Sequence, residues 1–140
     1  MSGRKPACVL DSFALLAYLG GKAGMERVRM VLEEAARGRT RVMLSVINLG
    51  EVLYITEREV GLVQAQAALA AVEQLPIEIL PATREAVLAA AHIKANHGIA
   101  YADAFAVAAA IESGAKVLTG DPEFRYVEKL VSVQRLEQTA

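Results

Sequence analysis

The chain has 140 residues, a formal net charge of −1 and a hydrophobic fraction of 54%. This length suits one domain spanning residues 1–140 with its own core. The high apolar fraction excludes a disordered chain. The near-neutral charge excludes a protein coated in positive charge to wrap nucleic acid, although a nucleic-acid enzyme needs only a local basic strip.

Cysteine usage and hydropathy indicate the cellular compartment. The single cysteine, Cys8, cannot form an internal disulfide, and its apolar neighbours predict a core position. No uncharged apolar stretch approaches the length of a membrane-spanning helix. Asp11 interrupts the first apolar run too early for a signal peptide. We therefore expect a cytoplasmic protein without membrane association.

Apolar periodicity and turn residues predict strands alternating with helices. In chain order the pattern predicts strand 7–10, helices 13–19 and 23–36, strand 42–44, helices 46–57 and 63–74, strand 77–80, helices 83–96 and 101–113, strand 116–119, a short helix opened by Asp121-Pro122, and an edge strand at 131–133. This alternation is typical of an α/β fold with a mainly parallel sheet and helices on both faces.

Three acids stand alone in apolar segments. Asp11 is the only charged residue between Pro6 and Gly21, Glu51 between Val42 and Thr56, and Asp103 between Ala95 and Ile111. The helix that carries Glu51 is apolar on all sides, which predicts that it is buried. A carboxylate buried alone costs several kcal/mol or becomes protonated. A bound cation is the economical compensation.

The predicted positions of the acids converge. Asp11 directly follows the first strand, and Asp121 lies just beyond the fourth. Glu51 and Asp103 occupy early helical turns, and the helix of Glu51 begins where the second strand ends. In parallel α/β sheets these points meet at the carboxyl edge, where ligands bind. Four carboxylates there suit Mg²⁺ or Mn²⁺, whereas no Cys/His cluster favours zinc.

Each acid has a structural alternative when taken alone, with one exception. Asp11 and Asp121 are also suitable helix caps, and Asp103 in a first turn suits the helix dipole. Glu51 has no comparable explanation. Together the four acids favour a cation site over four independent structural roles.

Four motifs occur in order along the chain: Val9-Leu10-Asp11-Ser12, Asn48-Leu49-Gly50-Glu51-Val52, Gly98-Ile99-Ala100-Tyr101-Ala102-Asp103-Ala104 and Leu118-Thr119-Gly120-Asp121-Pro122-Glu123-Phe124. In these residues the chain resembles PIN-domain proteins over nearly its whole length. The resemblance is greatest to the VapC toxins of bacterial and archaeal toxin–antitoxin pairs.

The resemblance implies a three-layer sandwich with four to five strands. It implies an endoribonuclease that uses Mg²⁺ or Mn²⁺ to activate water and cleaves single-stranded RNA, often within tRNA or another structured RNA. It also implies homodimerisation and inhibition by a cognate antitoxin protein. It assigns the metal-binding catalytic roles to Asp11, Glu51, Asp103 and Asp121. Groups that support these acids or hold water would be Ser12, Asn48 and Thr119.

Two other functions stay open from the sequence: an RNA-binding or structural module of the same fold without catalysis, and a DNA nuclease. A second open question concerns Arg37, Arg39 and Arg41, which are spaced by two residues. They form either a strip that contacts phosphates or an ordinary solvated loop.

Overall fold

A computed structural model describes residues 5–136. The elements are β1 Ala7–Leu10, α1 Ser12–Leu19, α2 Met25–Ala36, β2 Arg41–Ser45, α3 Val46–Val60, α4 Leu62–Glu73, β3 Glu78–Leu80, α5 Arg84–Asn96, α6 Tyr101–Ser113, β4 Lys116–Thr119, a 3₁₀ helix Pro122–Val127 and β5 Val133–Arg135. The predicted order of strands and helices is confirmed, with β5 two residues later than predicted. No helix in this described part is long and apolar enough to cross a membrane.

The five strands form one sheet in the order β3-β2-β1-β4-β5, and every pairing is parallel. Leu10 at the end of β1 is in register with Leu44 of β2 and Leu118 of β4. The chain runs outward from β1 to β2 and β3, and then returns to the other side of β1 with β4. This reversal creates a switch point beside β1, and in such sheets ligands bind there, at the carboxyl ends of the strands.

Alternation along β1 divides the core between the two faces of the sheet. Cys8 and Leu10 pack into one apolar cluster with residues of α1 to α4. Val9 packs into the other cluster with α5, α6 and the 3₁₀ helix. The architecture is therefore the predicted three-layer sandwich. Burial raises the pKa of the Cys8 thiol to about 11, which agrees with its predicted role as an inert core residue.

Side-chain caps start two helices directly at strand ends. Asp11 accepts a hydrogen bond from the Ala14 N–H at 2.8 Å and begins α1. Ser45 accepts one from the Ile47 N–H at 3.1 Å and begins α3. Both caps were predicted from the residue types. They fix the first turns of α1 and α3 at the carboxyl edge of the sheet.

The prediction that α3 is buried all round is wrong. Tyr54 is 52% exposed, and Glu51 is only partly buried. The residues that α3 buries are Asn48, Leu49 and Val52. The helix lies in an outer layer, so only one face packs against the protein, and its Tyr and Gly residues tolerate water on the other face. Glu51 therefore stands at the boundary of the core.

Candidate functional site

The structure brings the four predicted acids together at the carboxyl edge of the sheet. The pKa of Asp103 is raised to about 8, first by burial and then by the charges of Asp11, Asp121, Glu51 and Glu123. Four carboxyl groups are thus close enough to act on Asp103. A carboxyl group whose pKa is raised by burial together with specific neighbouring charges is a candidate for a functional site.

Asp103 is the least compensated of these acids. It is 7% exposed in the first turn of α6, within a run of buried residues that continues to Ala108. Its carboxylate accepts no hydrogen bond from any residue in 5–136. Helix α6 has no side-chain cap, and Asp103 lies in its first turn. At that position the positive end of the helix dipole favours a negative charge. That dipole does not offset burial and four like charges, because the pKa of Asp103 is still raised.

Asp11 acts as a cap and is also part of the acid cluster. It is 1% exposed, and its Oδ1 accepts the Ala14 N–H while its Oδ2 accepts the Thr119 hydroxyl. Burial raises the pKa of Asp11 to about 7, although both hydrogen bonds lower it; the charge of Asp121 raises it further. A carboxylate has about four lone-pair positions, so two bonds leave the group able to bind a cation.

Thr119 connects the two acids that follow neighbouring strands. Its hydroxyl donates to Asp11 and accepts the Asp121 N–H at 2.9 Å. Asp121 in turn caps the 3₁₀ helix by accepting the Glu123 N–H at 2.9 Å, as its alternative role predicted. Arg135 donates from Nη1 to the Asp121 carbonyl at 2.7 Å. The loop after β4 is therefore held on both sides.

Glu123 is a site residue that the sequence reasoning missed. Its carboxylate oxygen and those of Asp103 and Asp121 all lie within 4.8 Å of one another. That spacing, and the all-oxygen donor set, fit a divalent cation such as Mg²⁺ or Mn²⁺. Glu123 does not stand alone in an apolar segment, because the charged residues Asp121 and Arg125 are its close neighbours. The available signal was its position two residues after Asp121, in the first turn of a helix.

Asn48, in the first turn of α3, forms hydrogen bonds to residues in the first turns of α1 and α6. It is fully buried, and its Nδ2 donates to Ser12 Oγ and to the Ala102 carbonyl, both at 3.1 Å. Ser12 donates back to the Asn48 carbonyl at 3.3 Å. Within residues 5–136 the buried Oδ1 of Asn48 has no hydrogen-bond partner. Asn48 thus links α3 to the residues beside Asp11 and Asp103.

Glu51 stands at the margin of the cluster. Its charge acts on Asp103, yet its carboxylate is outside the group of three that share the 4.8 Å spacing. The Tyr54 hydroxyl lies 3.5 Å from Glu51 Oε2, which is a long contact. Glu51 is therefore a partly buried acid at the edge of the cluster, outside the three carboxylates with the shortest mutual distances.

The arginine strip, Arg37, Arg39 and Arg41, lies away from the acid cluster. Arg37 and Arg39 pair with Glu34 at 3.6 and 3.2 Å, and Arg41 pairs with Glu78 at 2.8 Å. Arg41 is the first residue of β2, so the strip is at the opposite edge of the sheet from the acids. At about 3.3 Å per strand residue, the length of β2 puts roughly 10 Å or more between the two. The structure does not join the strip to the acid cluster.

Comparison with solved structures finds the same fold in toxin–antitoxin proteins. The VapBC2 complex of Rickettsia felis, bound to a promoter DNA fragment, aligns with a TM-score of 0.72 and 14% identity over 94% of this chain and 99% of that chain. The DNA-bound VapBC of Salmonella typhimurium aligns at 0.71 and 19% identity, over 93% and 98%. VapC20 of Mycobacterium tuberculosis, a sarcin-ricin loop cleaving toxin, aligns at 0.64 and 20%, over 87% and 94%.

No curated protein matches the chain significantly in sequence. The family profile of the PIN domain matches residues 8–130, which includes every acid of the cluster. The match covers most of the chain and agrees with the three-layer fold and with the order of the four motifs. This chain belongs to the PIN-domain family.

Proposed function

We propose that this protein is a metal-dependent endoribonuclease and the toxin of a type II toxin–antitoxin pair. The observation that carries the proposal is Asp103, a buried carboxylate that accepts no hydrogen bond within residues 5–136 and on which the charges of four other acids act. Such a group is unfavourable in a purely structural role, and a divalent cation compensates it. Membership of the PIN family and the likeness to VapC folds support the same reading.

Asp103, Asp121 and Glu123 would hold a Mg²⁺ or Mn²⁺ ion, with Asp11 and Glu51 beside it. When bound, such an ion lowers the pKa of a water ligand and stabilises negative charge on the attacked phosphate. Thr119 and the Ala14 N–H hold Asp11 in one orientation, so that this carboxylate does not need to reorganise. Asn48 keeps the helix starts that carry Glu51 and Asp103 in register.

The reaction is hydrolysis of an RNA phosphodiester. Water attacks phosphorus in line with the 3′ oxygen, the P–O3′ bond breaks, and the leaving 3′ oxygen takes a proton from solvent water. The products carry a 3′ hydroxyl and a 5′ phosphate. We assign acceptance of the water proton to a Glu51 carboxylate oxygen, because Glu51 is only partly buried, its charge acts on Asp103, and it lies outside the three carboxylates that would hold the ion. The remaining carboxylates orient the water.

The proposed partners follow from the VapBC complexes that share the fold. We propose a cognate antitoxin protein, a homodimer and a cytoplasmic location. Arg37, Arg39 and Arg41 stay proposed as contacts for RNA that extends beyond the acids. Their ion pairs are on the surface and therefore weak, so a phosphate can replace the paired carboxylate.

A cleavage assay with matched substrates tests the proposal. Single-stranded RNA and DNA of one sequence are incubated with wild type, Asp103→Asn and Glu112→Gln, in Mg²⁺, Mn²⁺ or chelator. Glu112 is an exposed acid on the same helix and serves as the control. We expect metal-dependent RNA cleavage by wild type and Glu112→Gln but not by Asp103→Asn. Cleavage of DNA alone would make the protein a DNA nuclease, and binding of RNA without cleavage would make it a binding module.

A further inference from the structure

Two tyrosine–arginine pairs lie on the surface beside the acids. The Arg58 guanidinium carbon is 5.3 Å from the centre of the Tyr54 ring, and that of Arg125 is 4.7 Å from the Tyr126 ring. Tyr54 is 52% exposed and Tyr126 is 48% exposed. A guanidinium over an aromatic face is a favourable arrangement. Each pair presents a flat ring and a positive charge to solvent at one point.

The first pair is attached to the acids through α3. Tyr54 lies one helical turn beyond Glu51, and its hydroxyl is 3.5 Å from a Glu51 carboxylate oxygen. Arg58 lies one further turn along the helix. Because the charge of Glu51 acts on Asp103, this pair stands next to the acid cluster.

The second pair is attached through the 3₁₀ helix. Tyr126 is three residues beyond Glu123, and side chains at that spacing share one face of a 3₁₀ helix. Glu123 belongs to the group of three carboxylates with the shortest mutual distances. Arg125 donates from Nη2 to the Tyr126 hydroxyl at 2.7 Å, which holds the pair together.

The sheet order starts the elements that carry the two pairs on opposite sides of β1. Helix α3 follows β2, the 3₁₀ helix follows β4, and β1 lies between these strands. Tyr54 contacts Glu51 and Tyr126 is three residues from Glu123, and the charges of both acids act on Asp103. A polymer that reaches from one pair to the other therefore passes the acid cluster.

The charges of the two arginines are available to a ligand. Within the described residues five other arginines form ion pairs with acids: Arg29, Arg37, Arg39, Arg41 and Arg135. Arg58 and Arg125 form none in that part of the chain. A polyanion that approaches five carboxylates is repelled unless cations stand beside them, and these two arginines supply such cations.

We propose that Tyr54 with Arg58, and Arg125 with Tyr126, form two nucleotide-binding subsites that hold an unpaired RNA strand on either side of the cleaved phosphate. In each subsite the ring stacks on a base and the guanidinium contacts a phosphate. The proposal rests on the ribonuclease function proposed above. Bases in a duplex are stacked on their neighbours and cannot reach an exposed ring, so the subsites select single-stranded segments.

Binding measurements in the Asp103→Asn background test the subsites without cleavage. Fluorescence anisotropy of a labelled single-stranded RNA is compared with that of a perfect RNA duplex, in Mg²⁺. Tyr54→Leu and Tyr126→Leu should each weaken single-strand binding by about 5- to 150-fold, the range for loss of one base–aromatic stack. Tyr54→Phe and Tyr126→Phe keep the ring and should each bind more tightly than the matching Leu variant, although Tyr126→Phe loses the hydroxyl that accepts from Arg125.

The arginines are tested through salt dependence. Changing Arg58 and Arg125 together to Gln should reduce the slope of log affinity against log salt by about 1.4, at about 0.7 for each phosphate contact to a single strand. Arg84→Gln is the control, because Arg84 is an exposed arginine at the start of α5. Melting curves establish that every variant is folded.

Parental affinity in both Leu variants would overturn the proposal, as would a duplex bound as tightly as the single strand. Cleavage assays in the wild-type background separate this result from failure of the nuclease function. If wild type cleaves RNA and the Leu variants keep its KM, the subsites are wrong and the nuclease stands. If the Leu variants lose single-strand binding but wild type does not cleave, the subsites stand and the nuclease function fails. RNA that is neither bound nor cleaved by wild type overturns both.

Discussion

Asp103→Asn tests whether the acid cluster lowers the stability of the metal-free protein while it supports cleavage. The substitution keeps the shape of the side chain and removes a charge that burial and four other carboxyls disfavour. In chelator, therefore, the variant should be at least as stable as wild type, although it should lose cleavage. A structural carboxylate would behave in the opposite way.

The sign of the pH effect follows from the raised pKa of Asp103. Its value of about 8, against 3.8 for an ordinary aspartate, means that the metal-free folded protein holds a proton that the unfolded chain releases. The stability from this proton is complete below the unfolded pKa and is lost as pH rises through the folded pKa. Between pH 6 and 8 wild type should lose up to about 1.4 kcal/mol per pH unit from this group, and Asp103→Asn should not.

Asp11 adds a loss of the same sign in both proteins, since burial raises its pKa to about 7. Water entry and small movements of the protein make the actual losses of stability smaller than these upper limits. We therefore expect the variant to gain about 1 kcal/mol on wild type between pH 6 and pH 8, which is a shift of roughly 3–5 °C in melting temperature for a domain of this size.

Metal should reverse the order of the two proteins. A cation that binds only the folded state, at ten times its Kd, adds about 1.4 kcal/mol, or roughly 4–7 °C on the same scale. The assay is a set of melting curves for wild type and Asp103→Asn, at pH 6 and pH 8, each with chelator and with Mn²⁺. An Asp103→Asn protein that melts well below wild type in chelator, or that gains as much from Mn²⁺, would refute the reasoning.

Three further outcomes are expected. Thr119→Val removes the hydrogen bond to Asp11 and the acceptor for the Asp121 N–H. Metal affinity or cleavage should fall by about 10- to 100-fold, as it does when other groups that orient metal ligands are removed. Thr119→Ser keeps the hydroxyl and should be largely unaffected in the same metal titration. Asn48→Ala leaves the partly buried Ala102 carbonyl without its donor. Urea unfolding should show a loss of about 1–3 kcal/mol, against little change for the exposed control Asn96→Ala, and equal losses would contradict the bridging role. Changing Arg37, Arg39 and Arg41 together to Ala should flatten the salt dependence of RNA binding, and an unchanged slope would leave them as partners of Glu34 and Glu78 only.

Local sequence signals predicted the order of elements because each signal acts within one or two turns. The run Ala7–Leu10, the caps Asp11 and Ser45, and the stop at Gly114 each depend on neighbouring residues alone. Gly114 has φ of 65°, a conformation that glycine adopts without strain. The lone acids were visible for a similar reason, since one charge in an apolar segment stands out without knowledge of its partners.

Tertiary structure alone decided which side chains meet and which faces water reaches. Apolar pattern could not show that α3 exposes Tyr54, because burial depends on what packs against each face of the helix. Glu123 joins the acids through the turn of the 3₁₀ helix, not through its own neighbours. The strand direction of β2 separates Arg41 from the acids, and the order of the strands starts α3 and the 3₁₀ helix, which carry the two tyrosine–arginine pairs, on either side of β1. Direction and strand order are properties of the whole sheet, and local residue patterns do not encode them.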